Sequence, residues 1–242
     1  MTNYNDFMSS FNKIEDFLKD LVDAKYNMAF YKLLEEAMKR DKLVKQFYQE
    51  LRTMSDLRNI IAHGDPNDPV ALPSESTLER IKFIEGQFTN PIKVKDAFKK
   101  SVNAVDAKDS LAEVLSEIDK YHYSQFPVVK SGKFIGLITE NGITNWLASS
   151  VEDDIISINN TSVQDVILRD EESDSYSFLI STDTLYDVID KFEEIRKSGN
   201  RTATIIVLNR KASSVNIEDI YTILTPWDLD TIYGKLGMGL EE

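Results

Sequence analysis

What most constrains this chain is an internal duplication. After Pro91, short β-branched and aromatic runs alternate with single amphipathic helices, and the order occurs twice. The first pass has a helix near 109–121, the run QFPVV, a Ser131-Gly132 turn, the run KFIGLIT and a helix from about 140 to 149. The second has SFLIS, a helix near 183–198, a Gly199-Asn200 turn, TATIIVL, a polar loop at 209–219, IYTILT and a helix from Pro226. The pattern predicts two β-α-β-β-α units. Neither holds enough sheet to bury both faces alone, so the two are expected to pack on one another.

The residues ahead of the duplication read as helices. Phe7, Phe11, Ile14, Leu18, Leu21 and Val22 keep a helical stripe, as do Phe30, Leu33, Leu34, Ala37, Met38, Val44, Phe47, Tyr48 and Leu51. A shorter stripe at Leu57, Ile60 and Ile61 follows Ser55, which is expected to cap a third helix and is ended by Gly64-Asp65-Pro66. Ser76 to Glu79 has the capping-box spacing and leads a helix with Leu78, Ile81, Ile84 and Phe88 on one side. The fold class is therefore α+β: a bundle of about four helices over 1–90, then repeats over 91–152 and 160–236.

Charge separates the same halves. Of the net −13, residues 1–90 carry −3 and residues 91–242 carry −10. A surface this acidic repels phosphate backbones, so DNA is not expected as a partner and RNA is disfavoured. There are no cysteines, which removes disulfides, thiolate metal sites and cysteine nucleophiles and suits a reducing cytoplasm. The start has no basic and then apolar leader, and no stretch is long and apolar enough to span a bilayer. No carboxylate cluster has metal-loop spacing, so no metal is expected.

SQFPVVKSGKFIGLITENGI and TATIIVLNRKASSVNIEDIYTILTPWDL resemble the closing halves of cystathionine-β-synthase-like (CBS) domains, with KVKDAF and SVQDVI as the lead-in segment of each copy. The resemblance covers about 92–236. It implies a tandem CBS pair in which a Thr-x-x-Asp strand-to-helix turn holds an adenosine ligand. The hydroxyl bonds a phosphate or ribose, and the carboxylate bonds the paired ribose hydroxyls. The second copy has this turn complete, as Thr225-Pro226-Trp227-Asp228. A basic residue three positions before a Pro-Val strand is implied as a phosphate partner. Arg201 stands there if Thr204 occupies the proline position. The first copy departs, with Thr139-Glu140-Asn141-Gly142 for the turn and Ser124 for the basic residue, so a ribose site there is not expected. A Thr-Pro-x-Asp sequence is equally an ordinary helix cap.

In the helical half, Arg58-Asn59-Ile60-Ile61-Ala62-His63 resembles the Arg-to-His motif of HEPN domains, helical bundles that dimerise and include metal-independent ribonucleases. The resemblance implies His63 as general acid or base, Arg58 as phosphate stabiliser and Asn59 as an orienting group. Asn59 and His63 share a helical face, with Ile60 and Ile61 expected toward the core. In the plainer reading His63 closes the helix and Arg58 pairs with Asp56 or Asp65. His122 reads as a surface residue at a helix end.

The expected function is that of a cytoplasmic, dimeric regulator. Its CBS pair binds an adenine nucleotide, AMP-like or a dinucleotide, through Arg201, Thr225 and Asp228, and modulates the helical domain. The alternatives are a HEPN-type ribonuclease gated by that pair, and a dimeric scaffold with idle sites.

Overall fold

A computed structural model describes residues 2–24, 28–62, 71–99, 101–150, 158, 160–168, 176–199 and 203–238. The chain divides into Met1–Pro91 and Ile92–Glu242.

The first unit is helical: α1 (Thr2–Val22), α2 (Phe30–Arg40), α3 (Lys42–Ala62) and α4 (Glu75–Thr89). Its core is the predicted stripe, with Phe7, Ile14, Leu18, Leu33, Leu51, Ile81 and Ile84 fully buried. Phe17 stacks on Phe88 at 4.9 Å between centroids, and Phe47 meets Phe88 edge-on. The ion pairs Lys13–Glu85 and Lys82–Asp6, each 2.7 Å, tie α1 to α4.

Three local expectations shift. No break occurs at Ser55, because α3 runs unbroken from Lys42 to Ala62. The break falls at Asp41, in extended backbone, whose carboxylate accepts from the Val44 N–H at 3.0 Å and so starts the next helix. The cap of α4 is Ser74, not Ser76, since its hydroxyl accepts from the Thr77 N–H at 3.1 Å. Of the isoleucine pair, Ile61 is buried but Ile60 is 53% exposed, as neighbours a hundred degrees apart on a helix must diverge.

In the second unit, α5 (Val94–Ala97) precedes β1 (Val105–Asp106), α6 (Leu111–Tyr121), β2 (Gln125–Lys130), β3 (Lys133–Thr139) and α7 (Glu140–Ser149). Then come α8 (Val163–Ile167), β4 (Tyr176–Ile180), α9 (Leu185–Lys197), β5 (Thr204–Leu208), β6 (Ile220–Leu224) and α10 (Leu229–Lys235). The strands form two three-stranded sheets, β1-β2-β3 and β4-β5-β6, each with a parallel first pair and an antiparallel second pair. Ser131 and Gly132, both at positive φ, close the β2–β3 hairpin, the backbone that a tight two-residue turn requires. The two-residue strand β1 is too short to show an alternation in the sequence.

The entries to α6 and α9 agree bond for bond. The Asp106 N–H donates to the Asp109 carboxylate as the Ile180 N–H does to Asp183. Capping boxes Ser110/Glu113 and Thr184/Asp187 start α6 and α9. Leu137, Ile206, Leu208 and Ile220 form one small core shared by both sheets, so the repeats do cover one another.

The lead-in segments, however, are exchanged. KVKDAF docks on the second repeat: the Val94 N–H donates to Asp183 O and the Lys95 N–H to Ser181 O. Val94 and Phe98 join the core of Leu185, Val188 and Ile205. SVQDVI docks on the first, where the Val163 N–H donates to Asp109 O and the Gln164 N–H to Ala107 O. Its Val163 and Val166 pack with Leu111 and Val128. Each copy thus completes its neighbour rather than itself.

Candidate functional site

The site begins at the end of β6. Strand alternation buries Leu224 in the core and leaves Ile223 half-buried on the opposite face, beside a cleft. The turn Thr225–Asp228 follows as a single tight helical turn rather than the start of a regular helix, which begins only at Leu229. Asp228 Oδ2 accepts from the Thr225 N–H at 2.9 Å and from its hydroxyl at 3.3 Å. The capping role therefore exists in the structure. A carboxylate offers about four acceptor positions, so capping and ligand binding are compatible.

The cleft, about 460 Å³, collects residues from three places. Ile223, Thr225, Trp227 and Asp228 come from the second repeat, and His122, Tyr123, Ser124 and Gln125 from the turn between α6 and β2 of the first. Lys99, Ser101, Val102 and Asn103 come from the link between α5 and β1. That link is anchored at one end by the exchanged α5 and by the Tyr221 hydroxyl, which donates to Phe98 O at 2.9 Å. Its other end enters β1, so it runs from the second repeat to the first. At the strand starts, the Thr204 hydroxyl donates to Gln125 Oε1 at 2.6 Å and joins the repeats at equivalent positions.

His122, read in the sequence as a surface residue at a helix end, is exposed and ends α6, and it also lines the cleft. Its left-handed backbone, φ 55°, ends α6, with its N–H donating to Ile118 O. The reversal brings 122–125 to the cleft. Beside it Tyr123 stacks on Tyr121 at 5.6 Å and 16°. The signal available in the sequence was position: His122 precedes QFPVV as Arg201 precedes the strand of the second repeat.

The ladder sets that correspondence and corrects the alignment. Asp106 pairs with Val129 and Ile180 with Leu208, so Val129 matches Leu208 and Pro127 matches Ile206, not Thr204. Ser124 then matches Ala203, and the same step along the sequence makes Arg201 the counterpart of His122. Arg201 itself lies outside the described residues. The cation lining the cleft among the described residues is Lys99.

In the first repeat, Thr139 Oγ1 accepts from the Gly142 N–H at 2.9 Å, a pure cap with no carboxylate. Gly142, Ile143 and Trp146 are buried beneath it.

In the helical unit, Arg58 and Asn59 line a separate cavity of about 380 Å³ with Phe11, Glu15, Phe30 and Asp56. Arg58 donates weakly to Asn59 Oδ1 at 3.4 Å and lies over the Phe11 ring, while its Nε is buried with no hydrogen-bond partner among the described residues. His63 lies outside the described residues, so the Arg58–His63 geometry is not defined. Among the described residues, no group of three His, Asp or Glu is placed to hold a metal ion, and no helix is long and apolar enough to cross a membrane.

No curated protein matches the chain. Among solved structures, it is similar to a CBS domain-containing protein of unknown function from Bacillus anthracis, at 21% identity over 62% of this chain and 95% of that one, TM-score 0.43. It is likewise similar to a CBS domain pair solved with 5′-methylthioadenosine and S-adenosyl-L-methionine, at 18% identity over 60% of this chain and 98% of that one, TM-score 0.43. A third, a protein named for acetoin utilization from Vibrio cholerae, shares 16% identity over 60% of this chain and 93% of that one, TM-score 0.44. Residues 94–149 match the family model of the CBS domain, a span that runs from α5 to the end of α7 and takes in the whole first repeat.

Proposed function

We propose that this protein is a regulator whose CBS-like pair binds an adenine nucleotide, AMP-like or a dinucleotide, in the Thr225–Asp228 cleft. The observation that carries the reading is convergence. One cleft of about 460 Å³ gathers a carboxylate and hydroxyl suited to a ribose diol, exposed aromatic rings suited to a base, and Lys99 and His122 suited to phosphate. Arg201 remains a candidate phosphate partner.

The ligand acts on the helical unit by binding two arrangements with different affinity. The link between α5 and β1 is the natural carrier, because its Lys99, Ser101, Val102 and Asn103 line the cleft and it is continuous through α5 with Pro91. The working protein is a cytoplasmic homodimer in this reading.

Isothermal titration with AMP, ADP, ATP and cyclic dinucleotides tests it. Binding to at least one, lost in Asp228→Ala, is the expected result. No heat with any of them leaves the idle-scaffold reading standing instead.

A second reading has its own observation: the Arg58 Nε, without a hydrogen-bond partner among the described residues, in a polar cavity beside Asn59. It suits a HEPN-type ribonuclease in which His63 moves the proton and Arg58 holds the phosphate. RNA cleavage that disappears in His63→Ala would support it, and equal cleavage by both proteins would remove it.

A further inference from the structure

Trp227 is 89% exposed, although the chain has only two tryptophans and the other, Trp146, is buried in the first repeat. Indole is among the costliest surfaces to leave in water, so an exposed Trp at a cleft asks what covers it. The fold does not require it. Thr139 corresponds to Thr225, so the counterpart of Trp227 is Asn141, and the first repeat passes from strand to helix with an exposed polar residue there. The ring follows Pro226, which fixes the backbone on one side, and precedes Asp228, whose carboxylate is held by Thr225. Tyr123, 41% exposed and braced by its stack on Tyr121, lines the same cleft.

We propose that Trp227 is a specificity-determining residue, a stacking platform for the purine base of the nucleotide bound in this cleft. The inference rests on the nucleotide reading above. It goes beyond that reading by giving selectivity for the base to an aromatic face rather than to hydrogen bonds, with Asp228 one residue away holding the sugar. A purine presents more face than a pyrimidine, so the cleft discriminates by stacking area. Base–aromatic stacking is worth about 1–3 kcal/mol, which is about five- to 150-fold in affinity.

The chain reports on this directly. In a Trp146→Phe variant, emission comes from Trp227 alone, and titration with AMP is expected to quench it while ribose 5-phosphate does not. In the unmodified protein, acrylamide reaches exposed Trp227 and not buried Trp146, so AMP is expected to protect the quenchable fraction even if the variant fails to fold. By calorimetry, Trp227→Ala is expected to weaken AMP binding about tenfold or more, and Trp227→Phe to restore most of it. If AMP binds with unchanged affinity to Trp227→Ala, or leaves Trp227 emission unmoved, the stacking role is overturned while the nucleotide reading survives. Absence of binding by AMP, ADP, ATP and cyclic dinucleotides alike to the unmodified protein overturns both, and where another of them binds in place of AMP it is the titrant in the same tests. Emission that changes with protein concentration and not with AMP assigns the ring to self-association and also overturns the proposal.

Discussion

The two repeats share a backbone and differ in what their turns offer a ligand. Thr139 and Thr225 end equivalent strands, yet Thr139 caps a buried glycine and Thr225 is bonded to a carboxylate. Asn141 stands where Trp227 does. Duplication fixed the frame, and single side chains then made one copy a candidate site and the other a structural element. What a repeat contributes to folding and what it contributes to binding are thus separable here.

The largest effects test the shared frame. Leu111 and Leu185 occupy equivalent starts of α6 and α9, and both are fully buried. Each Leu→Ala change is expected to lower unfolding free energy by about 2–5 kcal/mol in urea titration. A large loss in one and none in the other would break the equivalence. The next effect separates the turns. Asp228→Ala is expected to weaken nucleotide binding at least about tenfold, or about 1.4 kcal/mol. Thr139→Ala, by contrast, removes a cap worth about 1 kcal/mol of stability and leaves calorimetric affinity unchanged.

Thr222 and Asp219 sharpen the contrast further. The Thr222 hydroxyl in β6 is buried with no hydrogen-bond partner among the described residues, so Thr222→Val, nearly its isostere, is expected to raise stability by about 1 kcal/mol. Asp219 closes the longer loop that replaces the Ser131-Gly132 hairpin in the second repeat. The Asn216 backbone N–H, then its side chain and Arg210, hold the Asp219 carboxyl below its ordinary value against the cost of burial. A depressed folded pKa means stabilisation that is complete above the unfolded carboxylate range, about pH 4, and lost as pH falls through the folded value. Thermal unfolding from pH 7 to 3 is expected to show a shallower acid loss in Asp219→Asn than in the parent. Identical slopes would remove Asp219 as a contributor.

Local signals carried much of this. The QFPVV and KFIGLIT runs and the glycine turn were readable because each depends on neighbours a few residues apart, whereas the capping boxes of α6 and α9 were found only in the structure. The mistaken break at Ser55 shows the limit of the same logic. A good capping residue inside a continuous apolar stripe is overridden when both sides pack on one core. The reading of His122 as a surface residue at a helix end holds, but its place at the cleft depends on the chain reversing beside the other repeat.

The sequence by itself determined the duplication, the helical first half and the Thr225–Asp228 turn, since periodicity and turn chemistry are written in local order. Only the tertiary structure decided that KVKDAF completes the second repeat and SVQDVI the first, that Pro127 matches Ile206, and that His122 and Lys99 meet Asp228 at one cleft. Those facts rest on ladder register and on hydrogen bonds between segments some 70–125 residues apart, such as Val94 to Asp183, Gln125 to Thr204 and Phe98 to Tyr221. Their energy depends on closing long loops around a shared core, which no local pattern encodes.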